Sequence, residues 1–306
     1  MKKLILIDAN HLLSRTFHVP SFQSLSAEID GETVFTGATY GFLFSFLKIV
    51  NMHKGYEDKL IVVWDGGGKG FRSELSADYK ANRAKKSDEF MYQLHLTKDF
   101  LRVMGVMQST VPGIEADDII GVLSKQGRIK GYKVVIISGD KDFNQLVSKY
   151  VNVINPNAGK DKEDRLMTPA TVEEIYGIPP RLFADWLALT GDSSDNVAGI
   201  DGIGKKTATE LIRGNGSVED IIKADVHFKL VDGVKKPLSK KMQEKINNSK
   251  ESLILSRKLV QIATDLDIDL QIETPKPDFI TLKNMFKKYS YNSLLQKFNE
   301  FVAVFS

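Results

Sequence analysis

Three acids fall within four residues at Glu115, Asp117 and Asp118, inside the run Pro112-Gly113-Ile114-Glu115-Ala116-Asp117-Asp118-Ile119. Taken alone this is an ordinary acidic helix start, where the helix N-terminus offsets about 0.3 to 1 kcal/mol of repulsion per carboxylate. Three further aspartates change the reading: Asp8, Asp65 and Asp140 each stand at the exit of a predicted buried strand. In an open α/β sheet, ligands bind outside the carboxyl ends of the strands. Carboxylates gathered there repel one another unless divalent cations hold them. Asp142, two residues beyond Asp140, either meets the same cation or caps a helix. Asp192 and Asp195, in Gly191-Asp192-Ser193-Ser194-Asp195-Asn196, add two more candidate ligands on a loop.

The elements that must position these acids are short apolar strands. Lys3 to Ile7, Leu60 to Trp64 and Lys133 to Ser138 have the character of central parallel strands, and Val106 to Thr110 and Val151 to Asn155 are further candidates. Asp8 is expected at an exposed strand tip, with Asn10 capping the next segment. Arg15, seven residues beyond Asp8, is either a surface pair or a phosphate clamp. Pro20 to Thr36 reads as turns. Helical spacing follows at Tyr40 to Met52, where Phe42 and Phe46 belong to a core stripe. It returns at Phe90 to Met104, after Ile119, at Phe143 to Val147, from Pro169 behind a Thr168 cap, and after Pro180. A polar loop is expected at Gly159 to Asp164. Ser239 to Ile262 reads as one long lysine-rich helical stretch, and Leu282 to Phe301 as amphipathic segments packing back on the core.

Composition narrows the chemistry. The 306 residues contain no cysteine, which excludes disulfides, thiolate catalysis and Cys-ligated metals. No run of eighteen apolar residues occurs, so the expectation is a soluble intracellular, cytoplasmic protein without a membrane partner. The net charge of +3 hides a segregation: Gly66 to Lys86 carries a local +4 and Lys205 to Lys258 a local +6, which leaves −7 for the rest. An acidic centre flanked by basic segments suits a polyanion held around a metal site, although each basic segment alone reads as solvated surface. Gly66 to Gly70 lacks the spacing of a phosphate-binding loop and reads as a hinge. Beyond it Phe71, Arg72, Tyr79, Lys80, Arg83, Lys85 and Lys86 interleave aromatics with bases, as in single-strand binding. Gly199-Ile200-Asp201-Gly202-Ile203-Gly204-Lys205-Lys206 joins a close glycine turn to a basic helix start, where backbone amides approach a phosphate without reading bases.

With these stretches in order, the chain resembles the 5′ nuclease family, in particular the 5′ to 3′ exonuclease domain of bacterial DNA polymerase I and its free-standing phage and bacterial relatives, with the flap endonucleases as more distant kin. The resemblance runs from Leu4 to about Asp269. It rests on Phe71-Arg72 with Tyr79 to Arg83, Gly113 to Asp118, Gly139 to Asp142, Gly191 to Asn196 and the glycine turn. It implies a free-standing α/β nuclease with a central, mostly parallel sheet flanked by helices over residues 1–190, including a helical arch at about 66–101. Residues 191–306 would form a helical region with a helix-three-turn-helix duplex grip.

The same resemblance assigns Asp8, Asp65, Glu115, Asp117 and Asp118 to one metal site and Asp140, Asp142, Asp192 and Asp195 to a second. Two magnesium ions are implied, with manganese able to substitute. Lys80 and Arg15 match the basic pair at the scissile phosphate, and Arg72, Tyr79 and Arg83 stand with them on the nucleic acid. Gly202, Gly204, Lys205 and Lys206 match the duplex grip, and the carbonyls of Ala198, Ile200 and Ile203 match a potassium site. The implied partner is DNA with 5′ single-stranded ends or flaps, with RNA/DNA hybrids among the substrates, bound by a monomer in replication or repair. Three other readings stay open at this level. A non-catalytic structure-specific DNA-binding protein would need no full acidic set. An aspartyl phosphatase would show Asp-x-Asp after the first strand, where this chain has Asp8-Ala9-Asn10. A small-RNA ribonuclease would need neither arch nor glycine turn.

Overall fold

The first strand, β1 (Lys3–Asp8), is buried from Leu4 onward, with Ile5, Leu6 and Ile7 at 0% exposure. Strands covered on both faces read as continuous apolar runs, and this one forms the middle of a parallel sheet. The other strands are β2 (Ser26–Ile29), β3 (Glu32–Phe35), β4 (Lys59–Val63), β5 (Met107–Ser109), β6 (Lys133–Ile137), β7 (Val151–Ile154), β8 (Leu166–Met167), β9 (Phe228–Val231), β10 (Val234–Pro237) and β11 (Ile272–Glu273). The structure is a computed structural model that describes residues 1–156, 166–270 and 272–306, so the polar loop expected at 159–164 lies outside the described residues. Among the described residues no helix is long and apolar enough to cross a membrane.

The chain divides into two compact units that are not sequential: Met1–Gly67, Lys85–Gly139 and Thr264–Ser306 form one, and Gly68–Ala84 with Asp140–Ala263 the other. In the first unit the strand order is β11-β5-β4-β1-β6. β5, β4, β1 and β6 run parallel, with Ile5 opposite Leu60 on one side and Val135 on the other, while β11 pairs antiparallel with β5. The α/β reading holds. The helix Ala116–Ile129 packs closely on β1, because a Cβ at Gly127 would meet Leu4 Cδ2 at 2.6 Å. The aromatic stripe is core as expected: Phe42 and Phe46 are fully buried and Phe42 stacks on Trp64 at 6.0 Å. The helix Phe279–Lys288 returns to this core, where Phe286 stacks on Phe100 at 5.6 Å. Pro20 to Thr36 differs from the turns expected: it holds the short helix Pro20–Gln23 and the β2–β3 hairpin. These strands are four residues each and mostly exposed, so they leave no apolar alternation to read.

The second unit is mainly helical, built on Pro169–Tyr176, Phe183–Thr190, Lys205–Asn215, Val218–Lys223, Lys240–Asn248 and Lys250–Val260. Thr168 caps the first of these as expected, its side chain accepting from Thr171 N. Phe183, Leu187, Ala208, Leu211, Ile221 and Ile246 are fully buried, and Trp186 Nε1 donates to Thr209 Oγ1 at 3.0 Å. The stretch from Ser239 is two helices rather than one, broken at Ser249, which ends the first and opens the second. The antiparallel pairs β7–β8 and β9–β10 complete the unit.

Candidate active site

In the first unit, the strand ends place the acids and the polar groups around them fix their direction. Asp8 is 5% exposed rather than standing free at a strand tip. Its Oδ1 accepts from His11 N at 3.0 Å, so Asp8 itself caps the helix Ala9–Phe17, and Oδ2 accepts from Ser138 Oγ at 2.8 Å at the end of β6. Burial, opposed by those hydrogen bonds and reinforced by the Asp65 charge, pushes the Asp8 carboxyl up to about 6. The cap expected at Asn10 is therefore displaced by one that reaches back from the strand. Asn10 instead accepts from Asp65 N at 2.9 Å and ties the exits of β1 and β4 together.

Asp65 Oδ1 accepts from Ala116 N at 3.0 Å, the first residue of the helix Ala116–Ile129. One backbone bond thus fastens the Asp65 carboxylate to the knot at Glu115, Asp117 and Asp118. Glu115 occupies the cap position, Asp117 and Asp118 lie in the first turn, and Asp118 is fully buried. Lys86 Nζ stands 3.8 Å from Asp65 Oδ2. Arg15 is exposed in the last turn of the helix Ala9–Phe17.

The second unit draws together Asp140, Asp142, Asp192 and Asp195 with the basic residues of 79–83. Asp140 caps the 3-10 helix Lys141–Leu146 by accepting from Asp142 N at 2.9 Å. Burial first, then the charges of Asp140 and Asp192, push the Asp142 carboxyl up to about 8, although Lys141 opposes them. Among the described residues its Oδ1 is buried without a hydrogen-bond partner. Burial also works to raise Asp192. Hydrogen bonds from Ser194 and Lys141 outweigh it and hold Asp192 below the usual carboxylate range, with Lys141 Nζ 3.0 Å from Oδ2.

Asp195 accepts from Tyr79 Oη at 3.1 Å and from the Arg83 guanidinium, with Lys80 Nζ at 3.7 Å. Lys80 N donates to Asp195 O at 2.9 Å, Asn82 Nδ2 to Ser193 O at 2.8 Å and Asn196 Nδ2 to Asp78 O at 2.8 Å. Lys80 and Asn196 both sit at φ 56°, in the left-handed region. For a side chain such as lysine that costs of order 1 kcal/mol and persists where surrounding contacts over-determine it, as this lattice of bonds does.

Among the described residues no three Asp, Glu or His side chains stand as a finished metal cage. Part of the reason is visible in the partners: Lys86, Lys141, Lys80 and Arg83 act as counter-ions to Asp65, Asp192 and Asp195. The acids present nevertheless suit a hard cation. They offer oxygen only, and the buried, unpartnered Oδ1 of Asp142 is the atom a cation would satisfy.

Arg72 belongs elsewhere. It was expected on nucleic acid, yet it is 4% exposed, with Nε on Leu259 O at 2.8 Å and Nη2 on Gln261 O at 2.6 Å. Its guanidinium answers carbonyls at the end of the helix Lys250–Val260, where no amide follows to do so. The glycine turn is built as expected: Gly204 precedes the helix Lys205–Asn215 without a side-chain cap, so the first amides of that helix are not used by a local side chain. Of the carbonyls matched to potassium, Ala198 O accepts from Ser256 Oγ at 2.7 Å and Ile200 O from Ile203 N at 2.9 Å, each keeping a second lone pair. Ser138, Ser194 and Lys141 escaped the sequence reading. For Lys141 a signal existed, since a lysine between two aspartates is placed to neutralise a neighbour.

The family described as 5′-3′ exonuclease, N-terminal resolvase-like domain, matches residues 3–177, and the 5′-3′ exonuclease C-terminal SAM fold matches residues 178–281. A thermostable DNA polymerase I of Thermus thermophilus is 37% identical over 297 residues, 97% of this chain and 33% of that protein. The chain thus spans about a third of the length of the polymerase relatives. A 5′-3′ exonuclease of Aquifex aeolicus is 36% identical over 300 residues, covering 97% of this chain and 95% of its own. Among solved structures, the T5 D15 protein crystallised with metal ions superposes with a TM-score of 0.68 at 21% identity over the whole of both chains. Flap endonuclease-1 from Methanococcus jannaschii gives 0.58 at 16% identity, covering 99% of this chain and 93% of its own. At those identities the two structures establish the fold.

Proposed function

We propose that this chain, which belongs to the 5′-3′ exonuclease family, hydrolyses phosphodiester bonds at 5′ single-stranded ends and 5′ flaps of DNA, including RNA/DNA hybrids, in replication or repair. The observation that carries this reading is the gathering of the acids into two groups in which Asp8, Asp118 and Asp192 are buried and, among the described residues, Asp142 keeps a buried carboxylate oxygen without a hydrogen-bond partner. Asp8, Asp65, Glu115, Asp117 and Asp118 would hold one divalent cation, and Asp140, Asp142, Asp192 and Asp195 a second. Magnesium, with manganese as substitute, would supply Lewis-acid polarisation of the scissile phosphate and balance its developing charge.

The chain's own groups do the rest. Lys80 and Arg15 carry positive charge toward the reacting phosphate, where fixed charge is worth most in the transition state. Tyr79 and Arg83 hold the Asp195 carboxylate, and Ser138 and His11 N hold that of Asp8, so both are oriented before substrate arrives. The arch assigned to 66–101 comprises the helix Phe71–Leu75, turns through 79–83 and most of the helix Asp88–Val103. Its exposed Lys69, Arg83, Lys85 and Lys86 suit a single strand, while Arg72 serves the fold.

Gly202, Gly204, Lys205 and Lys206 grip a duplex by its phosphates, so junction shape rather than base sequence sets the cleavage point. A potassium ion at the Ala198, Ile200 and Ile203 carbonyls would steady that turn. The products carry a 5′ phosphate and a 3′ hydroxyl. The protein acts as a cytoplasmic monomer, with most of the nuclease chemistry in 1–190 and duplex binding in 191–306, which also supplies Asp192 and Asp195 to the second cation.

The test is cleavage of a labelled 5′-flap duplex in magnesium, in EDTA and with Asp65→Asn, alongside binding of the same substrate in calcium. Cleavage near the junction that EDTA and the substitution abolish, with binding kept, supports the reading. Tight binding without cleavage in magnesium or manganese replaces it with a non-catalytic binding protein.

A further inference from the structure

β9 and β10 turn around Asp232 and Gly233, at φ 49° and 76°, the two-residue turn whose twist matches its flanking strands. From Phe228 to Lys245 the chain carries six lysines and two acids. Lys235 and Lys236 lie exposed on β10, whose only pairing among the described residues is with β9, and Lys240 and Lys241 open the next helix. Lysines on an edge strand discourage pairing with other chains, and that alone would explain two of them.

It does not explain how firmly the hairpin is braced. Phe228 N donates to Asn215 Oδ1 at 2.9 Å, Asn215 Nδ2 donates back to Phe228 O, and a Cβ at Gly214 would meet that carbonyl at 2.5 Å. His227 N donates to Gln243 Oε1 and Leu238 N to His227 O, both at 3.0 Å. The hairpin is thereby fixed to the last turn of the helix Lys205–Asn215 and to the helix Lys240–Asn248. That second helix reaches back to the glycine turn, where Lys245 Nζ donates to Asp201 O at 3.1 Å and to Asp201 Oδ2 at 2.5 Å. Hydrogen bonding from Lys245, with the Lys241 charge behind it, holds the exposed Asp201 carboxyl below its usual range. An acid at the tip of a phosphate-gripping turn would otherwise repel the strand, and these lysines cancel it.

We propose that the β9–β10 hairpin and the first turn of the helix Lys240–Asn248 form a second phosphate grip, with Lys235 and Lys236 on the backbone of duplex nucleic acid beyond the stretch held at the glycine turn and Lys241, one helical turn from Lys245, joining the two. The hairpin sits at the far end of an eleven-residue helix, about 16 Å from that turn at about 1.5 Å per residue. This adds four to five base pairs to the footprint at about 3.4 Å each. The inference rests on the duplex binding contained in the proposed function.

The experiment is fluorescence anisotropy of a labelled flap duplex in calcium, from about 50 to 200 mM salt, with the wild type, the Lys235→Gln/Lys236→Gln/Lys241→Gln triple variant and the corresponding Lys→Arg triple. Losing three phosphate contacts lowers the slope of log K against log salt by about 2.7, so the Gln variant loses roughly 40-fold less affinity across that range than the wild type. The Arg variant keeps the wild-type slope. Equal slopes and affinities for the wild type and the Gln variant overturn the proposal and leave the lysines as edge guards. A wild type that binds no duplex at any salt overturns the function on which the proposal rests, and the proposal with it.

Discussion

Asp142→Asn isolates the electrostatic strain that the second acid group stores in the absence of a cation. Burial and the neighbouring Asp140 and Asp192 charges raise the Asp142 carboxyl from 3.8 to about 8. Between those values the folded protein binds a proton that the unfolded chain has released, so wild-type stability falls as pH rises and levels off above about 8. Asparagine does not titrate. The variant should therefore gain on the wild type by about 1.36 kcal/mol per pH unit, or roughly 3 kcal/mol between about pH 5.5 and 8. At about 2 °C per kcal/mol for a chain of this size, the melting temperatures should separate by roughly 6 °C over that interval. Asp8, raised to about 6, titrates in both proteins and cancels.

The assay is a set of thermal melts in EDTA across that pH range, repeated at about pH 8 with magnesium. A cation that binds only the folded wild type adds about 2.7 kcal/mol at a hundredfold excess over its dissociation constant, and closes most of the gap. A gap that stays constant with pH, or a wild type more stable than the variant at pH 8 in EDTA, refutes the reasoning.

Lys80→Ala should lower the cleavage rate of a flap substrate by roughly 10² to 10³-fold, the usual cost of removing one preorganised charge at a reacting phosphate. Binding in calcium should change little, and a rate within threefold of wild type would remove Lys80 from the chemistry. Arg72→Ala should cost about 2 to 4 kcal/mol in urea unfolding, because the Leu259 and Gln261 carbonyls lose a charged donor and a buried volume empties. Unchanged stability with lost DNA binding would return Arg72 to the nucleic-acid surface. Gly199→Ala should destabilise by about 2 kcal/mol or more and weaken duplex binding, since the new Cβ would meet Thr190 C at 2.4 Å and Gly191 N at 2.5 Å. Normal melts and normal anisotropy would show that the turn tolerates it.

The strand-end acids were legible because an apolar run closed by Asp is a local pattern, and β1, β4 and β6 match the expected Lys3 to Ile7, Leu60 to Trp64 and Lys133 to Ser138 to within one residue at each end. Local reading failed where the partner is distant. Arg72 looks like any basic residue in a basic stretch until carbonyls 187 and 189 residues away claim it. Asp8 looked exposed because nothing near it in sequence announces Ser138, 130 residues on. The break at Ser249 was hidden by a lysine-rich pattern that continues across it. The β9–β10 hairpin carried its signal openly in Asp232-Gly233 and was masked by the lysines around it.

The alternation of the two units along the chain bears on how the protein is made. The backbone passes between units at residues 67–68, 84–85, 139–140 and 263–264. On a ribosome adding about 5 to 20 residues per second, Gly68–Ala84 emerges roughly 10 to 35 seconds before Asp140–Ala263 is complete and can receive it. The first unit waits longer still, because β11 and the helix Phe279–Lys288 lie in the last forty or so residues. A nascent chain therefore carries its first acids long before either acid group is complete, and a truncated product lacks part of a core rather than a dispensable tail. Premature release should yield material for proteolysis, not a half-active nuclease.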